Sequence, residues 1–212
     1  MNRRNFIKNT LITAAGAVVV GSALANTKIF GDKKMKILVI TGSPHKKGTS
    51  ALLADEFIKG AEEKGHNVFR FDSAFEELHP CVACESCKTG DKKCIYKDGM
   101  EKLNPKLFEA DMVVFVTPLY YFGFSSQIKM VIDRFHANNH KIINTNKKAM
   151  LLATSAAAND WTMEGLVTNY KNIIRFLGWE NSGMLLATGC PVREAIEKTD
   201  FPKKAYELGK NL

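Results

Sequence analysis

The sequence predicts an α/β fold, a doubly wound parallel sheet of five strands with helices on both faces. Three observations predict it. From residue 35 onward, short apolar and β-branched runs alternate with segments of helical periodicity. The runs KILVIT, DMVVFVT and KAMLLAT are apolar almost throughout, as strands covered on both faces are. The first run leads through a turn rich in Gly, Ser and Pro into a helix start, the strand–loop–helix unit from which such sheets are wound.

The elements follow in order. Lys36–Thr41 is the first strand, and Gly42–Gly48 the turn after it. Thr49–Lys64 is a helix with Leu52, Leu53, Phe57 and Ile58 on one face, ended by Gly65. Asn67–Asp72 is the second strand. Ser73–Gly99 is an irregular insert, cysteine-rich over 78–99. Met100–Phe108 is a short helix, and Asp111–Thr117 a strand stopped by Pro118. Ser125–Ala137 has helical spacing through Ile128, Val131, Ile132 and Phe135. Lys148–Thr154 is the fourth strand. Glu164–Leu177 is a helix closed by Gly178, Asn181–Thr188 the last strand and Phe201–Leu212 the last helix.

Ligands of such sheets sit beyond the carboxyl ends of the strands. The first loop there joins free helical N–H groups to the hydroxyls of Ser43, Thr49 and Ser50, with His45, Lys46 and Lys47 beside them. That is an anion site suited to a phosphate. Five residues separate Gly42 from Gly48, and Thr49 follows Gly48 with no Lys between, so it is not a Walker loop. Ser43-Pro44 interrupts the dinucleotide fingerprint, which leaves a mononucleotide phosphate, or else an ordinary capped connection. The third loop, Thr117 to Gly123, carries Tyr120, Tyr121 and Phe122. A planar ligand ring would account for three aromatics where the chain turns, as would a packed surface loop. The fourth loop, 154–159, has small residues that let a flat ring approach.

Four of the five cysteines, Cys81, Cys84, Cys87 and Cys94, are spaced C-x2-C-x2-C-x6-C. The first three match the start of a bacterial ferredoxin run, while the fourth is further away and is not followed by Pro. The spacing admits a [4Fe–4S] cluster, disulfides or free thiols, and zinc. Cys190 stands alone and reads as a structural thiol.

Residues 1–25 have a basic start, an apolar stretch from Leu11 to Val20 and an Ala-x-Ala end, the marks of a secretory signal. RRNFIK resembles the twin-arginine (Tat) consensus, which implies export of the folded protein to the periplasm, contact with the membrane only during export, and cleavage after Ala25. Residues 26–34 form a linker to one domain, 35–212. The net charge is +8, and removal of the signal takes three of those charges with it. The pairs Lys33-Lys34, Lys92-Lys93, Lys147-Lys148 and Lys203-Lys204 read as solvated surface. No basic stripe interleaved with aromatics is present, so nucleic acid is not an expected partner.

GSPHKKGTS, TPLYYFGFSSQIKMVIDRF and the intervening CVACESC together resemble the NADPH-dependent FMN reductase family of flavodoxin-like proteins, in its iron-sulfur flavoprotein branch. The resemblance implies sheet order 2-1-3-4-5 and FMN as cofactor. It assigns Ser43, His45, Gly48, Thr49 and Ser50 to the FMN phosphate, and Pro118, Leu119, Tyr120, Tyr121, Phe122 and Gly123 to the isoalloxazine, with Ser155 beside it. Where the family often has Arg and Asn, this chain has His45 and Thr49. The branch implies a [4Fe–4S] cluster on Cys81, Cys84, Cys87 and Cys94 that exchanges electrons with FMN. The family implies a dimer or larger homo-oligomer. Lys129, Asp133 and Arg134 match a family pattern and read as helix-surface and packing residues. Backbone N–H groups of Tyr121 to Gly123 are expected at the ring edge, and no catalytic side chain is identified. The expected activity is an FMN-dependent oxidoreductase serving small-molecule or redox-protein donors and acceptors. The alternatives are an NAD(P)H-dependent FMN or quinone reductase without a cluster, and a non-catalytic electron carrier. Export argues against a soluble nicotinamide donor.

Overall fold

The structure, a computed structural model, describes residues 33–89 and 93–212. The signal over 1–25 and most of the linker over 26–34 lie outside the described residues. The chain divides into two units, 1–33 and 34–212, and every described strand and helix belongs to the second. Among the described residues no helix is long and apolar enough to cross a membrane.

Five strands, β1 Lys36–Thr41, β2 Asn67–Asp72, β3 Met112–Pro118, β4 Lys148–Thr154 and β5 Glu180–Ala187, pair in parallel in the order β2-β1-β3-β4-β5. This is the flavodoxin-like order, with the switch point between β1 and β3. The helices are α1 Thr49–Glu63, α2 Met100–Glu109, α3 Ser126–Arg134, α4 Asn139–Ile142, α5 Glu164–Leu177, α6 Arg193–Glu197 and α7 Phe201–Lys210. The third predicted helix gives way to a 3-10 turn over Phe135–Asn138. The five-residue α6 was not expected. Among the described residues of 73–99 are two 3-10 turns, Ser73–Phe75 and Ser86–Lys88.

The period-2 alternation of each strand builds two cores. Leu38 and Ile40 of β1, with Val113 and Phe115 of β3, pack against α2, α3 and α5. Ile37, Val39, Met112, Val114 and Val116 point the other way, onto α1, α6 and α7. Tyr170 of α5, at the centre of the first core, donates its hydroxyl to Asn181 (3.0 Å), and burial pushes its pKa well up. Lys147, expected on the surface, is 5% exposed. Its ammonium donates to the carbonyls of Phe108 (3.0 Å) and Ala110 (2.7 Å), which satisfies the charge where the α2–β3 turn meets β4. Burial lowers its pKa, partly offset by Asp111.

Helices α1 and α7 approach each other through glycines. A Cβ on Gly60 would stand 2.1 Å from the Tyr206 carbonyl oxygen, and one on Gly209 would stand 2.1 Å from that of Phe57. Only a residue without a side chain lets these backbones pass so closely. Glu63 extends the contact by accepting from the Tyr206 hydroxyl and, at 3.4 Å, from Lys210. Gly60→Ala is therefore expected to lose about 1–3 kcal/mol from overpacking, more than the ~1 kcal/mol that alanine gains in helix propensity. Urea denaturation checks this; a stabilised variant would show that the helices can separate at no cost.

Candidate functional site

A cavity of about 630 Å3 lies at the carboxyl ends of β1, β3 and β4 and the segment after β5. Its floor is the first loop. Ser43 Oγ accepts from the His45 N–H (3.1 Å), and the Gly48 N–H donates to the His45 carbonyl (3.0 Å), which closes a tight turn. Gly48 caps α1 in an extended conformation. No side chain caps the helix, and its first turn has no acidic residue. The N–H groups of Thr49, Ser50 and Ala51 precede the first intrahelical bond, from Leu52 to Gly48, so the positive end of α1 faces the loop.

Neighbouring loops are pinned to this one. The Gly42 N–H donates to the Val116 carbonyl (2.9 Å), and Ser125 Oγ donates to the Gly42 carbonyl (2.7 Å). A Cβ on Gly42 would meet Ser125 Oγ at 2.4 Å. Thr49 and Thr154 share a hydroxyl hydrogen bond of 2.9 Å, which ties α1 to the end of β4. The Leu119 N–H donates to the Thr154 carbonyl (2.7 Å), and the Cys190 N–H to the Ser155 carbonyl (2.8 Å).

Of the residues expected here, Ser43, His45, Gly48, Thr49, Pro118, Leu119, Tyr120 and Ser155 line the cavity. Ser50 does not; it is buried under the helix start. Tyr121, Phe122 and Gly123 also stand outside the lining. Tyr121 and Phe122 have φ of 44° and 62° and form the centre of a two-residue turn closed by reciprocal bonds between Tyr120 and Gly123. The Gly123 N–H, expected at a ring edge, is used inside this turn at 3.1 Å. Tyr121 is fully exposed, and Phe122 packs on Trp161 with centroids 5.1 Å apart.

The sequence pattern did not reveal the segment after β5. Cys190, Pro191, Val192 and Arg193 close the side of the cavity next to Lys47. Cys190 is buried, as expected of a structural thiol, and burial raises its pKa, yet it lines the cavity. The available signal was topological, since β5 also ends at this edge.

A second cavity, about 360 Å3, is lined by Cys81, Cys84, Cys87 and Cys94 together with Arg134 and His136. All five thiols of the chain are free. Among the described residues no group of three or more His, Cys, Asp or Glu closes around a single metal ion. Arg134, read as one of the helix-surface and packing residues, packs inward and is 3% exposed. It donates to Asp98 (2.8 and 3.3 Å) and to the His79 carbonyl (2.8 Å), and its guanidinium lies 5.2 Å from the centre of the Tyr96 ring. Its Nε is buried with no hydrogen-bond partner among the described residues. Lys129 and Asp133 are the exposed i, i+4 pair expected. Cys84 is lowered in pKa by hydrogen bonds from Ser86 and, less, by the charge of Arg134.

Burial alone would raise the Asp98 carboxyl, but Arg134 and the N–H groups of His79 and Met100 outweigh it and hold it down to about 2. The stability contributed by a depressed carboxyl is complete above its unfolded pKa near 4, and is lost as pH falls through about 2. Asp98→Asn is thus expected to cost about 2 kcal/mol at pH 7 and progressively less below pH 4. Denaturation across that range checks it; a gap independent of pH would remove the charge from the explanation. At the aromatic turn, Tyr121→Gly is expected to gain up to about 1 kcal/mol by relieving a left-handed backbone, read from the urea midpoint.

Residues 35–178 match the NADPH-dependent FMN reductase family. An iron-sulfur flavoprotein of Methanocaldococcus jannaschii is 33% identical over 125 residues, 59% of this chain and 64% of that protein. An iron-sulfur flavoprotein of Archaeoglobus fulgidus is 39% identical over 101 residues, 48% of this chain and 51% of that protein. The chain therefore spans about half to two thirds of the length of such relatives. Among solved structures, an NAD(P)H:quinone oxidoreductase from Methanothermobacter marburgensis superposes with a TM-score of 0.67 at 18% identity, over 84% of this chain and 96% of that one. That likeness shows the fold. With the family match covering more than half of its residues, the chain belongs to the NADPH-dependent FMN reductase family.

Proposed function

We propose that this chain is an exported FMN-dependent oxidoreductase of the iron-sulfur flavoprotein kind. The observation that carries the reading is the larger cavity, where uncapped N–H groups of α1, hydroxyls and cations meet the ends of β3 and β4. The residues fit FMN. A phosphate fits the N–H groups of Thr49 to Ala51 and the hydroxyls of Ser43 and Thr49. Pro118, Leu119, Tyr120 and Ser155 offer an apolar rim with backbone groups for a flat ring. Bound FMN supplies the redox chemistry; the protein holds it, orients it and limits water around it.

Four free thiols around one cavity, with a buried guanidinium beneath them, fit a [4Fe–4S] cluster on Cys81, Cys84, Cys87 and Cys94. Helix α3 would set the spacing of the two groups. It starts beside Ser125, which holds the first loop at the Gly42 carbonyl, and ends with Arg134, which lines the smaller cavity. Nine residues at a rise of about 1.5 Å put its ends about 12 Å apart. The Tat-like start favours a periplasmic protein loaded before export, homo-oligomeric and served by small-molecule or redox-protein partners. A second reading, an NAD(P)H-dependent quinone reductase without a cluster, draws support from the match of residues 35–178 to the NADPH-dependent FMN reductase family.

The test is an absorption spectrum with iron and sulfide assays on anaerobically purified protein. Flavin bands with about four iron and four sulfide per chain are expected. Cys84→Ser is expected to lose the iron and keep the flavin. Flavin without iron would favour the second reading, and no flavin after reconstitution would overturn both.

A further inference from the structure

The cations around the phosphate loop differ in kind. Lys46 has its ammonium 4.8 Å from the centre of the Phe75 ring. Among the described residues, Arg193 is the one guanidinium lining the cavity, and it comes from the segment after β5, at the first position of α6. Its placement is built. The Nε–H donates to Glu197 Oε1 at 2.7 Å across one helical turn, and Nη1 reaches the Lys47 carbonyl, 146 residues away in the chain, at 3.4 Å. Those two contacts fix the plane of the fork above the turn that precedes Gly48. Nη2 makes no hydrogen bond to another described residue. A planar fork with free N–H groups beside a helix N-terminus matches the oxygens of a phosphate better than an ammonium does. Glu197, about half exposed, positions the guanidinium without fully neutralising it.

We propose that Arg193 is a second clamp on the flavin phosphate, closing over the first loop from the β5–α6 connection, and that it makes this chain select FMN over riboflavin. The proposal rests on the FMN reading and adds to it a residue beyond the matched part of the family, which ends at residue 178. The first loop supplies donors from below and Arg193 from above, so the phosphate is gripped between segments that are far apart in sequence.

The experiment is titration of the full chain, stripped of flavin, with FMN and separately with riboflavin, followed by flavin fluorescence. Arg193→Ala is expected to raise the FMN Kd about tenfold, as loss of one charged hydrogen-bonding partner does, and to leave the riboflavin Kd within about twofold. The salt dependence of FMN binding should fall with it. Arg193→Lys, which keeps charge without the fork, is expected to fall between, and carries the test should alanine fail to fold. Equal weakening of both flavins would assign Arg193 a structural role and overturn the proposal. So would no change in either, or a wild-type chain that binds the two flavins equally. A wild-type chain that binds neither flavin would overturn the FMN reading itself.

Discussion

The hydrogen bond from Ser125 to the Gly42 carbonyl is the contact on which the rest of the site depends. Parallel strands end with carbonyls and turns at one edge, where the ladder no longer satisfies the backbone. Here the end of β1 is satisfied by the start of α3, and the Gly42 N–H by the end of β3. Because Gly42 lies too close to Ser125 and Ile128 for any Cβ, the first loop and α3 form one rigid corner. The Ser125 N–H also donates to Thr117 Oγ1 (3.1 Å), so the same residue fixes the exit of β3. The first loop and the aromatic loop therefore hold their relative position before any ligand contributes.

Helix α3 carries that rigidity to the cysteines. Its last residue, Arg134, is buried against Asp98, and breaking such a pair leaves an uncompensated buried charge. The described residues of the cysteine segment have little regular structure of their own to hold them. Ala83 and Glu85 take left-handed backbone conformations, and Cys81 and Cys84 are exposed. Its anchors are side chains: His79 accepts from Arg134 through its carbonyl, its N–H donates to Asp98 (3.0 Å), and its ring stacks on Tyr96 at 4.5 Å. Both cavities are thus referenced to one short helix.

Much of this was legible in the sequence. Strands β1, β2 and β4 and helix α5 have the bounds that pattern and end signals predict, because apolar runs between turn residues leave little choice of register. Gly178 closes α5 in the left-handed conformation its position suggested. What was illegible depends on tertiary partners. Lys147 read as surface because lysine usually is; only the carbonyls of Phe108 and Ala110 offset the cost of its burial, and the partner that holds Arg134, the carboxylate of Asp98, is likewise visible only in the fold. Arg193 gave no signal, since α6 is too short for periodicity and its reach to Lys47 spans most of the chain.

The aromatic turn is a different case, in which local preference and observed structure disagree. Two consecutive left-handed residues call for Asn-Gly or Gly-Gly, and the chain supplies Tyr121 and Phe122. The strain is of order 1–3 kcal/mol per residue. The visible compensation is the Phe122–Trp161 contact, about 0.5–1.5 kcal/mol, and the paired bonds of Tyr120 and Gly123. Tyr121, fully exposed, returns nothing to stability. A strained turn that presents large aromatic side chains to solvent at the rim of the larger cavity is one that folding alone would not choose, which locates the reason for it at the surface the turn presents rather than in the core beneath.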